Sequence, residues 1–342
     1  MASAIPDISP DFEPARRLVR AHYDVLDGAT AQNVRQILSE RLAPDCHWYG
    51  MHPFHEQTGP DAIAQTFWEP FLTSFTGVQR REDIFFAGLN EIDGFQGRWT
   101  CSMGHLMGLF DAPFLGIPPH GKIAMLRYAE FNQVEDGKII RSALFVDLIH
   151  LMMQAGLSPL THEQTGAHLV QPGPRTHDGL LFAPADPAAS AITLARINAM
   201  IGSINHANAA AKPPTPQEEL ARDWNDDMIW WGPAGIGATA TIDRYIVQHQ
   251  GPFRRGITDR VYNGHLCRMA EGNYGAFFGW PNLTLTNGGG FMGLPATDQP
   301  ADMRVVDVYR RSGDKLSENW VFIDILHFLK MQGVDVLADI TS

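Results

Sequence analysis

Two aspartates in this chain occupy equivalent places in an internal repeat. Each is followed by a histidine three residues on: Asp147 with His150, and Asp324 with His327, 177 residues apart. Each acid closes a run that reads as a β-strand. Residues two apart on a strand share a face, so Phe145 and Asp147 point one way, as do Trp320, Phe322 and Asp324. An acid beside bulky aromatics is expected to face an apolar space. Desolvation there disfavours the carboxylate and lifts its pKa towards the range useful for proton transfer. A helical turn after the acid would bring the histidine onto the same face, where it orients the base. The competing expectation is structural: each Asp caps the turn that follows it, Asp147 over 149–150 and Asp324 over 326–327.

The two copies differ around these acids. Copy one carries His47, His52, His55, His105 and His120, and the positions aligned with four of them in copy two are Ile229 for His47, Ala234 for His52, Gly237 for His55 and Trp280 for His105. Copy one is therefore expected to hold the main active site, with Asp147, His105 and His52 as catalytic groups and Asp324 as their counterpart in copy two. Trp48, Tyr49, His55, Trp68, Trp99, Tyr128, His150 and Trp320 are the expected substrate contacts, and the aromatic set favours a flat hydrophobic ligand. The run His52-Pro53-Phe54-His55-Glu56 raises a second reading, a metal-dependent hydrolase. Its proline argues against the helical placement that zinc-protease motifs need, so neither metal nor cofactor is expected. Gly288-Gly289-Gly290 falls in a strand–strand loop, not between a strand and a helix, which argues against a phosphate cradle. There is no Gly-x-Ser-x-Gly elbow.

The elements that must position these residues are written twice. Residues 114–157 and 291–334 align without a gap and share ten identities in 44 positions. The expected layout is a domain over 1–160, a connection over 161–185 rich in Pro, Gly and His, and a second domain over 186–342. Each copy opens on a helix with an Asp and a Pro at its start, Asp11 and Pro14 or Asp186 and Pro187. In copy two the next helix begins with the capping-box pair Thr215 and Glu218. Both copies then run into a Trp-turn, Trp48-Tyr49-Gly50 or Trp230-Trp231-Gly232, and a third helix over 60–71 or 242–253. Strands are expected near 82–89, 97–108, 122–134 and 139–147. Hairpin turns are expected at Glu135-Asp136-Gly137-Lys138 and at Ser312-Gly313-Asp314-Lys315. The fold class is α+β: two tandem cones, each with three helices packed on a curved antiparallel sheet that encloses an apolar pocket.

Composition narrows the partners. The 342 residues carry a formal charge of −12, 44% apolar residues and a mean hydropathy of −0.15, ordinary for a globular protein. The basic spots Gln79-Arg80-Arg81 and Phe253-Arg254-Arg255 are short and read as solvated turns. Nucleic acid and membrane are not expected partners. Cys46, Cys101 and Cys267 make no disulfide framework, the first residues carry no signal peptide, and no apolar run reaches the length of a membrane span. Together these point to a cytoplasmic protein that is either a pseudo-dimeric monomer or a homodimer.

The Phe-x-Gly-x-Pro motif, the long strand after it, the Gly-Lys turn and the aromatic strand ending in Asp resemble the SnoaL-like polyketide cyclases, a branch of the NTF2-like superfamily. So does the Met331-Gln332-Gly333 turn. The resemblance covers about the last 50 residues of each copy. It implies a cofactor-independent acid–base enzyme of cyclase, isomerase or lyase type, acting on an aromatic or polyketide-like molecule. By motif position it places the acid at Asp147 and Asp324. A non-catalytic small-molecule binder is the alternative from another class.

Overall fold

The helix signals act as expected where they can be followed. Asp186 accepts the N–H of Ala188 at 3.0 Å, and Thr215 and Glu218 close a reciprocal capping box. The computed structural model describes residues 12–160, 171–297 and 299–340, so Asp11 and the connection over 161–170 lie outside the described residues. Domain one runs α1 (Glu13–Asp27), α2 (Val34–Arg41), β1 (Leu42–Gly50), β2 (Glu56–Thr58) and α3 (Pro60–Ile63). A π-helical turn, Ala64–Trp68, leads into α4 (Glu69–Ser74), followed by β3 (Phe75–Leu89), β4 (Arg98–Phe110), β5 (Ile123–Glu135), β6 (Lys138–Val146) and α5 (Leu148–Gln154).

Domain two repeats the order. It runs α6 (Pro187–Ala209), α7 (Pro216–Asp223), β7 (Trp224–Trp231), β8 (Ala238–Ala240), α8 (Ile242–Tyr245), a π-helical turn Ile246–Gln250 and α9 (Gly251–Gly256). It continues with β9 (Ile257–Tyr262), β10 (Cys267–Glu271), β11 (Tyr274–Asn287), β12 (Pro300–Ser312), β13 (Lys315–Ile323), α10 (Ile325–Met331) and α11 (Val336–Asp339).

The sheet orders are β2-β1-β6-β5-β4-β3 and β10-β11-β12-β13-β7-β8, with β9 beside β11. Within each sheet the first strand of the domain pairs parallel with the last, β1 with β6 and β7 with β13. The chain returns between them through helices and other strands, so this single pairing departs from the antiparallel rule. The repeated Trp-x-Gly has a direct cause: a Cβ on Gly50 or Gly232 would run into the ring of Trp48 or Trp230. Asp136-Gly137 turns β5 into β6 with φ of 47° and 72°, as a tight hairpin requires.

Each sheet has two apolar faces. One carries its own helices: Leu126, Leu144 and Val146 in domain one, Met303, Val321 and Ile323 in domain two. The other packs on the neighbouring sheet. Phe278 centres this inter-sheet layer, with ring centroids 4.9 Å from Phe131, 5.8 Å from Trp99 and 5.9 Å from Tyr49. The buried pair Arg16–Glu271, at 2.8 Å, ties α1 to β10. The described part of the connection is not a loose tether. Gly179 O and Leu181 N bond both backbone groups of Phe85, and Pro172 O accepts the indole N–H of Trp320 at 3.0 Å.

Candidate functional site

The two repeat aspartates lie in the seam between the domains. Asp147 Oδ1 accepts the N–H of His150 at 3.0 Å and caps α5, and its Oδ2 accepts the N–H of Ala234, in the other domain, at 2.8 Å. Asp324 mirrors it: Oδ1 takes the N–H of His327 at 3.3 Å, and Oδ2 takes the N–H of His52 at 2.9 Å. Arg304 stands 3.3 Å from Asp324, and Arg127 stands 3.9 Å from Asp147. Burial lifts the Asp324 carboxyl to about 6. Strand parity does put Phe145 with Asp147 and Phe322 with Asp324, but this aromatic face looks onto the second sheet. Phe145, Trp320 and Phe322 belong to the inter-sheet layer. Both aspartates therefore act as caps and as reciprocal clasps, each holding the Trp-turn loop of the other domain.

Of the remaining expected site residues, His52 lines a small seam cavity together with Asp147 and Asp324, and the others are dispersed. His105 is buried on β4 with its Nδ1 3.6 Å from Asp83. His52 and His55 face each other at 5.2 Å between ring centroids, and burial holds His52 down to about 4. Tyr49, Trp99 and Trp320 fill the inter-sheet layer, and His150 is buried in the first turn of α5. Trp48 and Trp68 pack with Phe67 inside domain one, and Tyr128 shares that interior. None of the twelve lines the large cavity described next. Among the described residues, no group of three or more His, Cys, Asp or Glu converges as metal ligands, the His52/His55 pair included.

That cavity, of about 460 Å³, lies between the sheet and the helices of domain two. It is the half that the distribution of histidines had marked as the less reactive. Alternation along β12 and β13 sends Val305, Asp307 and Tyr309 from one strand, and Asn319 and Val321 from the other, to the cavity wall. Asn319 Nδ2 donates to Asp307 Oδ1 at 3.1 Å, and the Tyr309 hydroxyl also bonds this carboxyl. Burial outweighs both donors and raises Asp307 to about 6. Tyr245, whose hydroxyl is pushed well above its usual pKa by burial and by Asp307, lines the same space.

Flat surfaces flank the acid. His249 stacks on Trp230 at 3.9 Å and His265 on Phe277 at 3.8 Å, and burial holds both imidazoles down to about 3, so they are neutral. At the α7 wall Arg254 pairs with Glu219 at 2.8 Å, and Arg196 with Asp223 at 3.0 Å. The Phe253-Arg254-Arg255 spot is thus no solvated turn, because Arg254 lines the cavity.

The corresponding wall of domain one is neutralised. Strand registers align Glu130 with Asp307 and Arg80 with Tyr262. Arg80 bonds Glu130 at 2.8 Å, lies 3.7 Å over the ring of Tyr23 and 4.5 Å over that of Tyr128, and is buried. Ser102 joins Glu82 at 3.0 Å and Tyr128 at 2.7 Å. The Gln79-Arg80-Arg81 spot is therefore also not a simple solvated turn.

One signal for the domain-two site was present in the sequence. The shift of 177 that pairs Asp147 with Asp324 also pairs Glu130 with Asp307, and Asp307-Val308-Tyr309 alternates on a strand.

Residues 16–155 match the family model described as SnoaL-like polyketide cyclase. The match covers the first domain, and a second domain of the same topology follows it. No curated protein matches the chain. Among solved structures, an NTF2-like protein from Burkholderia xenovorans LB400 is similar at 12% identity, covering 42% of this chain and 97% of its own, with a TM-score of 0.33. A SnoaL-like protein from Jannaschia sp. CCS1 is 21% identical over 45% of this chain and 99% of its own, with a TM-score of 0.34. An NTF2-like protein from Burkholderia thailandensis E264 is 20% identical over 43% of this chain and 98% of its own, with a TM-score of 0.32. No helix among the described residues is long and apolar enough to cross a membrane.

Proposed function

We propose that this protein is a cofactor-independent acid–base enzyme of cyclase or isomerase type, working in the cavity of domain two on a flat hydrophobic small molecule. The observation that carries the reading is Asp307. Among the described residues no cation stands within ion-pair distance of it, and Asn319 and Tyr309 hold it at the wall of a cavity of about 460 Å³. An acid raised to about 6 is largely ionised at neutral pH, yet it releases its conjugate proton readily, as a group that takes and returns one proton needs to. Asp307 would remove a proton beside a carbonyl. The Tyr245 hydroxyl would donate to the oxyanion that develops, while Tyr309 keeps its bond to Asp307. The stacked His249–Trp230 and His265–Phe277 pairs would hold the ring system in place. The family match supports the cyclase or isomerase class.

The test uses 5-nitrobenzisoxazole, a flat aromatic whose ring opens when a base removes its C3 proton and the N–O bond breaks. The full chain should accelerate the opening, with a rate that rises as pH passes about 6 and levels above it, because the carboxylate is the active form. Asp307→Asn should lose about 100-fold or more of the rate while still binding the probe. A rate unchanged by Asp307→Asn would end this reading.

A further inference from the structure

We propose that the ligand of the domain-two cavity is an aromatic carboxylic acid whose carboxylate is held by Arg260. This rests on the reading that the cavity takes a flat ligand, and it adds a charge requirement that the reading does not contain.

Arg260 lies on β9 and lines the cavity half-buried. Its Nη2 donates to Asn208 Oδ1 at 3.3 Å, and among the described residues no carboxylate stands within ion-pair distance of it. The neighbouring cations are matched one to one: Arg254 with Glu219 at 2.8 Å and Arg196 with Asp223 at 3.0 Å. Arg254 and Arg260 line this wall with Glu219 and Asp223, and because Arg196, outside the lining, pairs with Asp223, Arg260 is left without an ion-paired carboxylate. Burial, then the nearby Arg254, lower its pKa, against a smaller opposite pull from Glu219. A cation held there without an acid is costly, and a bound anion offsets that cost.

The fork of N–H donors on a guanidinium matches a carboxylate in two parallel bonds, and a single bond to Asn208 leaves most of that fork available. Glu219 Oε2 and Asp223 Oδ2 are buried without a protein partner, so they repel an anion and welcome a hydroxyl. The ligand carboxylate therefore belongs on the Arg260 side of this wall. The aromatic body extends from it along Phe277 and its stacked partner His265.

Three of these positions are apolar in domain one, while Arg41 stands at that of Asp223. The shift of 182 that pairs Trp48 with Trp230 places Leu72 at Arg254, Val78 at Arg260 and Ile37 at Glu219, and all three pack against the hydrophobic core. The charged wall is therefore a property of domain two and not of the fold.

The experiment titrates the full chain by calorimetry with 2-naphthoate and with its neutral methyl ester, at neutral pH and low salt. The acid is expected to bind about 10-fold or more tightly than the ester, and the preference should shrink as salt rises. Arg260→Met should bind the acid no better than the ester, and Arg260→Lys should restore part of the preference. Wild-type protein that binds the ester as tightly as the acid overturns the carboxylate assignment and leaves the acid–base reading in place. A preference that survives Arg260→Met overturns the assignment to Arg260. Failure of both probes to bind, with no turnover of 5-nitrobenzisoxazole, brings down the cavity reading and this inference together.

Discussion

In domain one the acid of β5, Glu130, is ion-paired with Arg80 at 2.8 Å, and the rings of Tyr23 and Tyr128 lie against that guanidinium. In domain two the equivalent acid, Asp307, meets only an amide and a hydroxyl. Tyr262 occupies the strand position of Arg80 and turns its hydroxyl to His265 and Arg268, and a cavity of about 460 Å³ lies in front of Asp307. The backbone is the same and the acid is kept, so fold and acid together do not make a site. What separates the two walls is the partner of the acid. Arg80 occupies the hydrogen-bonding capacity of Glu130, whereas burial beside neutral donors raises Asp307 to about 6, where protonated and ionised forms exchange. A duplicated chain can afford this difference, because either copy can supply stability while the other keeps a cavity.

Reversing the contrast gives the largest expected effect. Tyr262→Arg installs the domain-one partner opposite Asp307. Turnover of 5-nitrobenzisoxazole should fall by about 100-fold or more, and the midpoint of its pH profile should move below about 6, since a nearby cation favours the carboxylate. A midpoint left in place would mean that the partner of the acid is not what distinguishes the domains.

Next in size is the clasp. Asp147→Ala removes the α5 cap and leaves the buried N–H of Ala234 without an acceptor. Urea denaturation should show about 2–4 kcal/mol of lost stability, with probe turnover kept at wild-type level under native conditions. Loss of turnover without loss of stability would return the catalytic role to Asp147. The smallest effect on activity is expected from Glu130→Gln, which should leave turnover within about twofold, as for residues that do not touch the reacting atoms. A drop as large as that of Asp307→Asn would place the chemistry in domain one.

Much of the architecture was legible in the sequence because its signals are local. The capping box Thr215–Glu218, the Asp186 cap, the Asp-Gly hairpin and the Trp-x-Gly turns each depend on residues a few positions apart. Alternation on the last strand of each copy was also legible, and it grouped Trp320, Phe322 and Asp324 on one face. What alternation does not carry is what that face meets. A sheet buried on both sides offers two apolar faces, and the pattern along one strand is the same whether the space beyond is a ligand cavity or a second sheet. The histidines show the same limit of chain-local signals. His52 and His55 cluster in the chain but stand at the seam, while His249 and His265 are scattered in the chain and converge on one cavity.

The sequence by itself determined the duplication, the order of elements in each copy, the acid that ends each last strand and the class of fold. All of these follow from periodicity, turn chemistry and a constant shift between copies. Only the tertiary structure decided which acids are clasps and which one faces open space. That outcome depends on two sheets packing face to face, and on one guanidinium, Arg80, reaching Glu130 where its counterpart Tyr262 leaves Asp307 without a cation.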